Sequence, residues 1–415
     1  MALAKPFPLY PIYKELVEFD ERDYLDFRSV FSQHVGFKKW WKDQWIWGKE
    51  FLEYIGRNKS EHTYTRFRNE VERFLLWSFL VKEEPITEYR KSDVLEYIDF
   101  CWKPPASWIS TETNGRFTMS NGSYRNNKKW KPFRIQAPKH LKNKTVDKKK
   151  YRPSQESLSA LFTGITAFYK YLMGEEIAVG NPAQIAKNDC RYFLADAQLK
   201  QVNRLTEEQW QYLINVAVKL ADSDARYERS LFIIVALKTM FLRISELSER
   251  ADWSPVMGHF WEDENKNWWL KIYGKGRKLR DTSVPPDFLS FLERYRLSRG
   301  LSPLPEKKEN TVLVEKLRGQ GGMTARHLMR LVQEVMDAAY KSMKKDKGEK
   351  KAKQLKSASS HWLRHTGASM EIERGRALKD LSEDLGHSSM ATTDTIYVQT
   401  ESKKRAASGR DRKVV

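Results

Sequence analysis

From Ser60 onwards, apolar residues recur every three or four positions: Tyr64, Phe67, Val71, Phe74, Leu75 and Phe79. That spacing lines one face of an α-helix, and Ser60 is a suitable cap for its start. Arg66, Arg68 and Arg73 fall largely off the stripe. A second helix is expected over 91–100, with Val94, Leu95 and Ile98 inward. A third is expected over 156–173, where Leu158, Leu161, Phe162, Ile165, Phe168, Tyr169 and Leu172 share a face. Asn181-Pro182 ends the following loop. Thr206-Glu-Glu-Gln209 is a capping box that opens another helix, with Trp210, Leu213, Ile214 and Ala217 inward. The stretch 231–241 is apolar nearly all round, which predicts a buried helix. The period then changes. Residues 268–273 alternate as a strand, Gly274-Lys275-Gly276 reads as a tight turn, and 277–285 supplies a return strand.

A chain of 415 residues suits two domains. With 40% hydrophobic and 13% aromatic residues it has the material for real cores and is not a disordered chain. No run of 18 apolar residues occurs, so no segment is expected to span a bilayer and no membrane partner is expected. The N-terminus lacks an apolar signal core, so secretion is not expected. Cys101 and Cys190 are the only cysteines and form no CxxC. That argues against a disulfide scaffold and a zinc site and suits a reducing cytoplasm. No metal or other cofactor is expected, and the phosphate-loop pattern GxxxxGK[ST] is absent.

The net charge of +20 changes the picture, because it asks for a polyanion: nucleic acid first, an anionic membrane second. The charge is concentrated. Residues 103–152 hold 14 Lys/Arg against Glu112 and Asp147 alone. Trp108, Phe117, Tyr124, Trp130, Phe133 and Tyr151 are interleaved with them. The expected role is contact with the DNA backbone, with the aromatics stacking or wedging, although a solvated basic loop has the same composition. Lys128, Lys129, Lys131 and Arg134 are the candidate contacts here, with Arg66 and Arg68 on the first helix. A second run, 341–356, carries eight lysines and is expected to be a solvated, mobile loop. Residues 1–44 balance seven Lys/Arg with seven Asp/Glu, which fits a packing or subunit-contact extension better than a DNA-binding arm.

The chemistry is densest between Ser360 and Thr400. His361 and Arg364 stand three residues apart, Gly386-His387 follows, and Tyr397 comes ten residues after His387. An arginine fork and two imidazoles can hold a phosphate, and a phenolic oxygen can attack it. Upstream, Phe241-Leu-Arg-Ile-Ser-Glu-Leu247 puts Arg243 at the end of the apolar helix. A rigid helix pre-positions that guanidinium, and Glu246 at i+3 can orient it. The same pair also reads as an ordinary helix-end ion pair. Likewise Tyr397 is one of 18 tyrosines, and a lone Gly-Lys-Gly is a weak signal.

In their order these motifs resemble the tyrosine recombinases, the phage-integrase family, over residues 45–400 apart from the two basic inserts. The stretches 60–80 and 157–183 are similar to parts of that family's helical core-binding domain. Two departures stand out: the segment Asp281–Pro285 is about two residues longer than usual, and the spacing from His387 to Tyr397 exceeds the commonest one by one residue. The resemblance implies a mainly α protein with one small antiparallel β-sheet, built as a two-domain C-shaped clamp round DNA. Its parts would be an N-terminal extension (1–44), a helical core-binding domain (45–187) with the insert at 103–152, a linker (188–204), an α+β catalytic domain (205–400) and a basic tail (401–415).

By the same resemblance, Tyr397 is the nucleophile that forms a 3′-phosphotyrosine link and His361 relays its proton. Arg243, Arg364 and His387 hold the phosphate, Lys275 (with Lys278 as second choice) protonates the leaving 5′-oxygen, and Glu246 supports Arg243. His365 is assigned to structure, since neighbours on a helix face apart. The implied partners are double-stranded DNA with a specific core site, copies of the chain in a tetramer on two sites, and accessory DNA-bending or directionality proteins. The implied location is the bacterial cytoplasm, on the nucleoid, and the implied task is integration, excision or transposition of a mobile element. Two alternatives use the same parts: DNA relaxation of the type IB topoisomerase kind, and a non-catalytic DNA-binding protein.

Overall fold

The computed structural model describes residues 5–27, 39–135, 146–193, 202–274, 278–387 and 389–397, the last with side chains only to 394. The chain forms two compact units, Met1–Ala197 and Gln198–Val415, each mainly helical.

The first unit holds α1 (Tyr13–Val17), α2 (Lys39–Asn58), α3 (Glu61–Trp77), α4 (Lys91–Trp102), α5 (Gln155–Gly174) and α6 (Pro182–Ala186). The cap at Ser60 is present: its Oγ accepts the Thr63 N–H. All seven apolar residues expected on one face of α5 are buried. On α4, Val94 and Ile98 are buried, while Leu95 is half-buried. α2 has no counterpart among the sequence expectations; it buries Trp41, Trp45, Phe51, Leu52 and Ile55.

The segment 5–27 packs into this same core. Leu9 N–H donates to the buried carboxylate of Glu72 (2.8 Å), Trp45 Nε1 donates to the Leu9 carbonyl (3.0 Å), and Tyr10 Oη donates to the Trp45 carbonyl (2.9 Å). Arg68 Nη1 donates to the Pro11 carbonyl at 2.6 Å, and the residue is buried. This corrects its assignment as a DNA contact: the guanidinium fastens the N-terminal segment. Arg66, two positions away, is exposed.

The basic insert also differs from expectation. Strands β2 (Phe117–Ser120) and β3 (Ser123–Asn126) form an antiparallel hairpin through Asn121-Gly122, both at positive φ, which is the turn that matches strand twist. Strands β1 (Ile109–Ser110) and β4 (Phe133–Arg134) pair in parallel. The aromatics do not project as stacking or wedge groups. Trp108, Trp130 and Phe133 are buried, Tyr124 stacks on Tyr24 at 4.8 Å, Phe117 meets Tyr24 edge-on, and Tyr151 meets Phe133 edge-on. Strands this short are not stable unless one face is covered, so the aromatics go to the core. Arg116 is absorbed too, by a fork on buried Glu72 (3.0 and 2.8 Å). Lys128, Lys129 and Arg134 stay exposed and Lys131 is half-buried, while 136–145 lie outside the described residues.

The second unit holds α7 (Glu207–Ser223), α8 (Glu228–Thr239), α9 (Pro286–Leu297), α10 (Ala325–Lys347), α11 (Glu349–Ser357), α12 (Ser360–Glu373), α13 (Leu378–Leu385) and α14 (Met390–Tyr397). One antiparallel sheet orders β5 (Phe260–Glu262), β6 (Trp268–Tyr273) and β7 (Leu279–Val284) side by side. Both halves of the capping box at Thr206 are made (3.0 and 3.2 Å). On α7, Leu213 and Ala217 are buried while Trp210 and Ile214 are half-buried.

The run 341–356 is helical, not a mobile loop. α10 continues to Lys347, Gly348 breaks it at φ 83°, and α11 follows. Met343, Ala352 and Leu355 are fully buried, and Gln209 Nε2 donates to the Lys351 carbonyl (2.7 Å). Three apolar anchors at helical spacing suffice to turn the lysines outward.

α8 lies at the centre, with Leu231 to Leu237 all buried, and α12 packs on it. The approach is close. A Cβ on Gly367 would lie 1.9 Å from the Lys238 carbonyl oxygen. Gly367→Ala is therefore expected to destabilise this unit by about 1–3 kcal/mol, because backbone cannot yield as a side chain does. A urea midpoint unchanged from wild type would contradict the packing.

Candidate active site

α8 ends at Thr239, and Phe241, buried, adopts φ 52°. A left-handed phenylalanine costs on the order of 1–2 kcal/mol and survives only where its surroundings fix it. The turn delivers Arg243 and a short 3₁₀ turn, Ile244–Glu246. Glu246 accepts the Arg243 backbone N–H (2.7 Å) and Arg243 Nη1 (3.1 Å). From β7, Arg280 places both guanidinium nitrogens on the same carboxylate, at 2.8 and 3.1 Å. Burial alone would raise the Glu246 carboxyl. The Arg280 fork, the Arg243 N–H and the Arg364 charge outweigh it and hold the group below the usual carboxylate range.

Helix α12 brings His361, Arg364 and His365. The Arg364 side chain is buried, and its nitrogens donate to the carbonyls of Phe241 (2.6 Å) and Leu385 (2.7 Å). One of them also lies 3.2 Å from His387 Nε2. A guanidinium only donates, so Nε2 accepts and the proton sits on Nδ1, which donates to Thr393 Oγ1 at 2.8 Å. Gly386, at φ 61°, ends α13 and turns His387 inward. Thr393 is buried on α14, the helix that ends at Tyr397. The Tyr397 side chain lies outside the described residues, as does Lys275.

The hairpin flanking Lys275 is described. Its last strand pair is Tyr273 with Leu279, and Gly274 N–H donates to the Lys278 carbonyl (2.9 Å). The expected tight turn at Gly274-Lys275-Gly276 and the start of the return strand at 277 fall on residues 275–277, outside the described residues; the described part of the return strand is Leu279–Val284. From there β7 pairs without interruption to Val284, so the longer segment noted in the sequence introduces no bulge.

His361 and His365, one helical turn apart, meet edge-on with ring centres 4.3 Å apart. Burial, then the charges of Arg364 and Arg243, pushes His361 below the ordinary histidine range. Burial, then His361 and Arg364, takes His365 down to about 3. Burial, then Arg364, Arg243 and Arg280, takes His387 down to about 4. All three imidazoles are therefore neutral near pH 7. Folded, these groups bind protons more weakly than unfolded, where the pKa is about 6.5. Their contribution to stability is complete above that value and is lost as pH falls through it towards 4. The melting temperature of the DNA-free protein should fall over this window, and less steeply in His365→Gln. Parallel curves for the two proteins would contradict the assignment.

Arg243 and Glu246, and Arg364 and His387, are thus joined by hydrogen bonds, and His361 lies within electrostatic reach of both arginines. The sequence reading missed three members. His365 sits beside His361, a relation that the i, i+4 spacing signalled. Thr393 and Arg280 carried no signal of their own, since Arg280 is one of several basic residues near the hairpin. Arg66, Lys128, Lys129, Lys131 and Arg134 all belong to the other unit.

Residues 203–404 match the Phage integrase family. The chain is 24% identical to tyrosine recombinase XerC of Anoxybacillus flavithermus over 264 residues, covering 61% of this chain and 75% of the relative. It is 25% identical to tyrosine recombinase XerD of Staphylococcus saprophyticus over 254 residues, with the same two coverages. Among solved structures, the fold matches the XerH site-specific recombinase bound to palindromic difH substrate (TM-score 0.56, 15% identity, 98% of this chain and 99% of that one). It also matches the Tn1549 transposon integrase in complex with a circular intermediate DNA (TM-score 0.51, 18% identity, 88% and 98%). Two mainly helical units, a three-stranded sheet and an arginine–histidine cluster on the second, and these likenesses lead to one assignment: residues 203–404 form a domain of the phage-integrase family, and the chain is similar to the tyrosine recombinases.

Proposed function

We propose that this chain cuts and rejoins DNA at a specific core site through a 3′-phosphotyrosine link to Tyr397, and that it serves the movement of a mobile element. The observation that supports the chemistry best is the Arg364 fork. It is buried, anchored on two backbone carbonyls and faced by a neutral His387 that is tied to the Tyr397 helix. Such donors are fixed before the reaction and cost no reorganisation when charge develops.

In the proposed step the Tyr397 oxygen attacks the scissile phosphorus, and the bond to the 5′-oxygen breaks. The phenolic proton goes to His361, which is neutral near pH 7 and so has a free lone pair. Arg243 and Arg364 hold the non-bridging oxygens. His387 accepts from Arg364 in the DNA-free state, so it donates to the phosphate only once it has gained a proton or turned its ring. Lys275 gives a proton to the leaving 5′-oxygen. One phosphodiester is exchanged for another, so neither ATP nor an external hydrolysis is required. Rejoining to a second duplex takes a 5′-hydroxyl from that duplex, which supports a tetramer on two sites as the working assembly, with accessory proteins setting direction. Lys128, Lys129, Lys131, Arg134 and Arg66 are the proposed backbone contacts in the first unit, on the nucleoid.

The test needs no known site. The protein is expressed in a bacterial cell carrying its native element, reactions are stopped with detergent, and DNA covalently attached to the protein is sequenced. Attachment at one or two discrete sequences is expected. Attachment scattered over the genome would favour site-independent relaxation, and DNA binding without any attachment would favour a non-catalytic binder.

A further inference from the structure

We infer that Arg280 is a positioning residue for the DNA-cleavage step, holding Arg243 in its working pose through Glu246 and bracing the Gly386-His387 turn. The inference rests on the recombinase reading above.

The geometry is that of a three-way tie. Arg280 comes from the strand that returns from the Lys275 hairpin, where it pairs with Ile272. Its two terminal nitrogens fork onto Glu246 at 2.8 and 3.1 Å, and its Nε donates to the Asp384 carbonyl at 3.3 Å. Glu246 in turn grips Arg243 by backbone and side chain (2.7 and 3.1 Å). The guanidinium fills the space beside two glycines. A Cβ on Gly274 would lie 2.8 Å from Arg280 Nη1, and one on Gly386 would lie 2.8 Å from its Cζ. Three segments that carry site residues therefore meet on one side chain: the hairpin flank, the Arg243 turn and the turn before His387.

The chemistry explains why an arginine is needed. Glu246 is almost completely buried and shared between two guanidiniums. Arg243 is partly exposed, with 27% of its side chain open, so it is the partner free to reach a ligand. Arg280 has only 14% of its side chain open and is committed to the carboxylate. A fork on both oxygens fixes the plane of the carboxylate, and that plane fixes the direction of Arg243. Without the fork, Glu246 can rotate and draw Arg243 into a closed ion pair. The neighbouring trio of Ser283, Asp384 and Arg376 holds β7 against α13 independently (Ser283 N–H to Asp384 at 2.9 Å), so the strand keeps its place when Arg280 is shortened.

The test uses the full-length protein and a duplex bearing the site found by adduct sequencing, nicked so that cleavage traps the protein on DNA. Arg280→Met and Arg280→Lys are compared with wild type on the ordinary phosphodiester and on a methylphosphonate at the scissile position. The methylphosphonate lacks the charge that Arg243 is proposed to neutralise. Arg280→Met should slow adduct formation about 10- to 100-fold on the phosphodiester, the usual effect of removing a group that orients an active-site residue. On the methylphosphonate its loss should shrink to within about threefold, since the misdirected group is no longer needed. Arg280→Lys keeps the charge without the fork and should show the same pattern; it carries the test if Arg280→Met does not fold. An equal loss on both substrates would mean a merely structural residue, and a wild-type rate in either variant would mean no role; each overturns the inference. If wild type itself forms no adduct on the phosphodiester, the recombinase reading fails first, whatever Arg280 does.

Discussion

Tyr397→Phe is expected to abolish covalent capture of DNA and to leave DNA binding within about twofold of wild type. The loss in adduct formation should exceed roughly 10⁴-fold, the scale seen when a covalent nucleophile is removed. The change deletes one oxygen and no charge, so phosphate-backbone attraction, which sets most of the affinity, is untouched. The hydroxyl of Thr393 on the same helix is not available to replace the phenol, since it is buried and engaged by His387 Nδ1. The measurement is a denaturing gel of protein with labelled site duplex, paired with a native binding curve. A persisting adduct would assign the nucleophile to another residue. Loss of binding together with the adduct would show instead that the tyrosine supports the structure.

The second large effect falls on Arg364, and here two readouts separate. Arg364→Ala should lower cleavage about 10²–10³-fold, as loss of one charge-stabilising donor does. It should also lower the stability of the second unit by about 2–4 kcal/mol, because the carbonyls of Phe241 and Leu385 lose a buried donor. Arg364→Lys has one ammonium for several acceptors on different segments. It should recover part of the stability and little of the rate, since a point charge cannot reproduce the planar fork. Equal recovery of both would mean that charge alone matters at this position. The left-handed Phe241 gives an internal check, because its carbonyl is held by Arg364. Protease sensitivity of the 240–243 turn should rise in Arg364→Ala.

Much of this was written in local pattern. The start of α3 at Ser60, the seven buried residues of α5, the capping box at Thr206 and the buried α8 all follow from neighbours within one or two turns. So does the sequence order of arginine turn, hairpin, His-x-x-Arg helix, Gly-His turn and tyrosine helix. Propensity, capping and hydrophobic period act over a few residues, and they are strong enough here to fix the elements; the candidate site was named by the resemblance of its motifs, in their order, to the tyrosine recombinases.

What local pattern could not decide is where each charge and each ring is spent. Arg66 and Arg68 are equally off the apolar stripe, yet Arg68 is buried on a carbonyl 57 residues away. Arg116 lies in the most basic stretch of the chain and neutralises Glu72, 44 residues upstream. Arg280 finds Glu246 across 34 residues and becomes part of the site, while two other arginines near the hairpin, Arg250 and Arg277, stand out no less in the sequence. The aromatics of the insert and the anchors of the lysine run went inward for the same reason. A charge or a ring close in sequence to others says only what it can bind; which partner it meets is set by long-range packing, where burying an unpaired group costs more than any local preference returns.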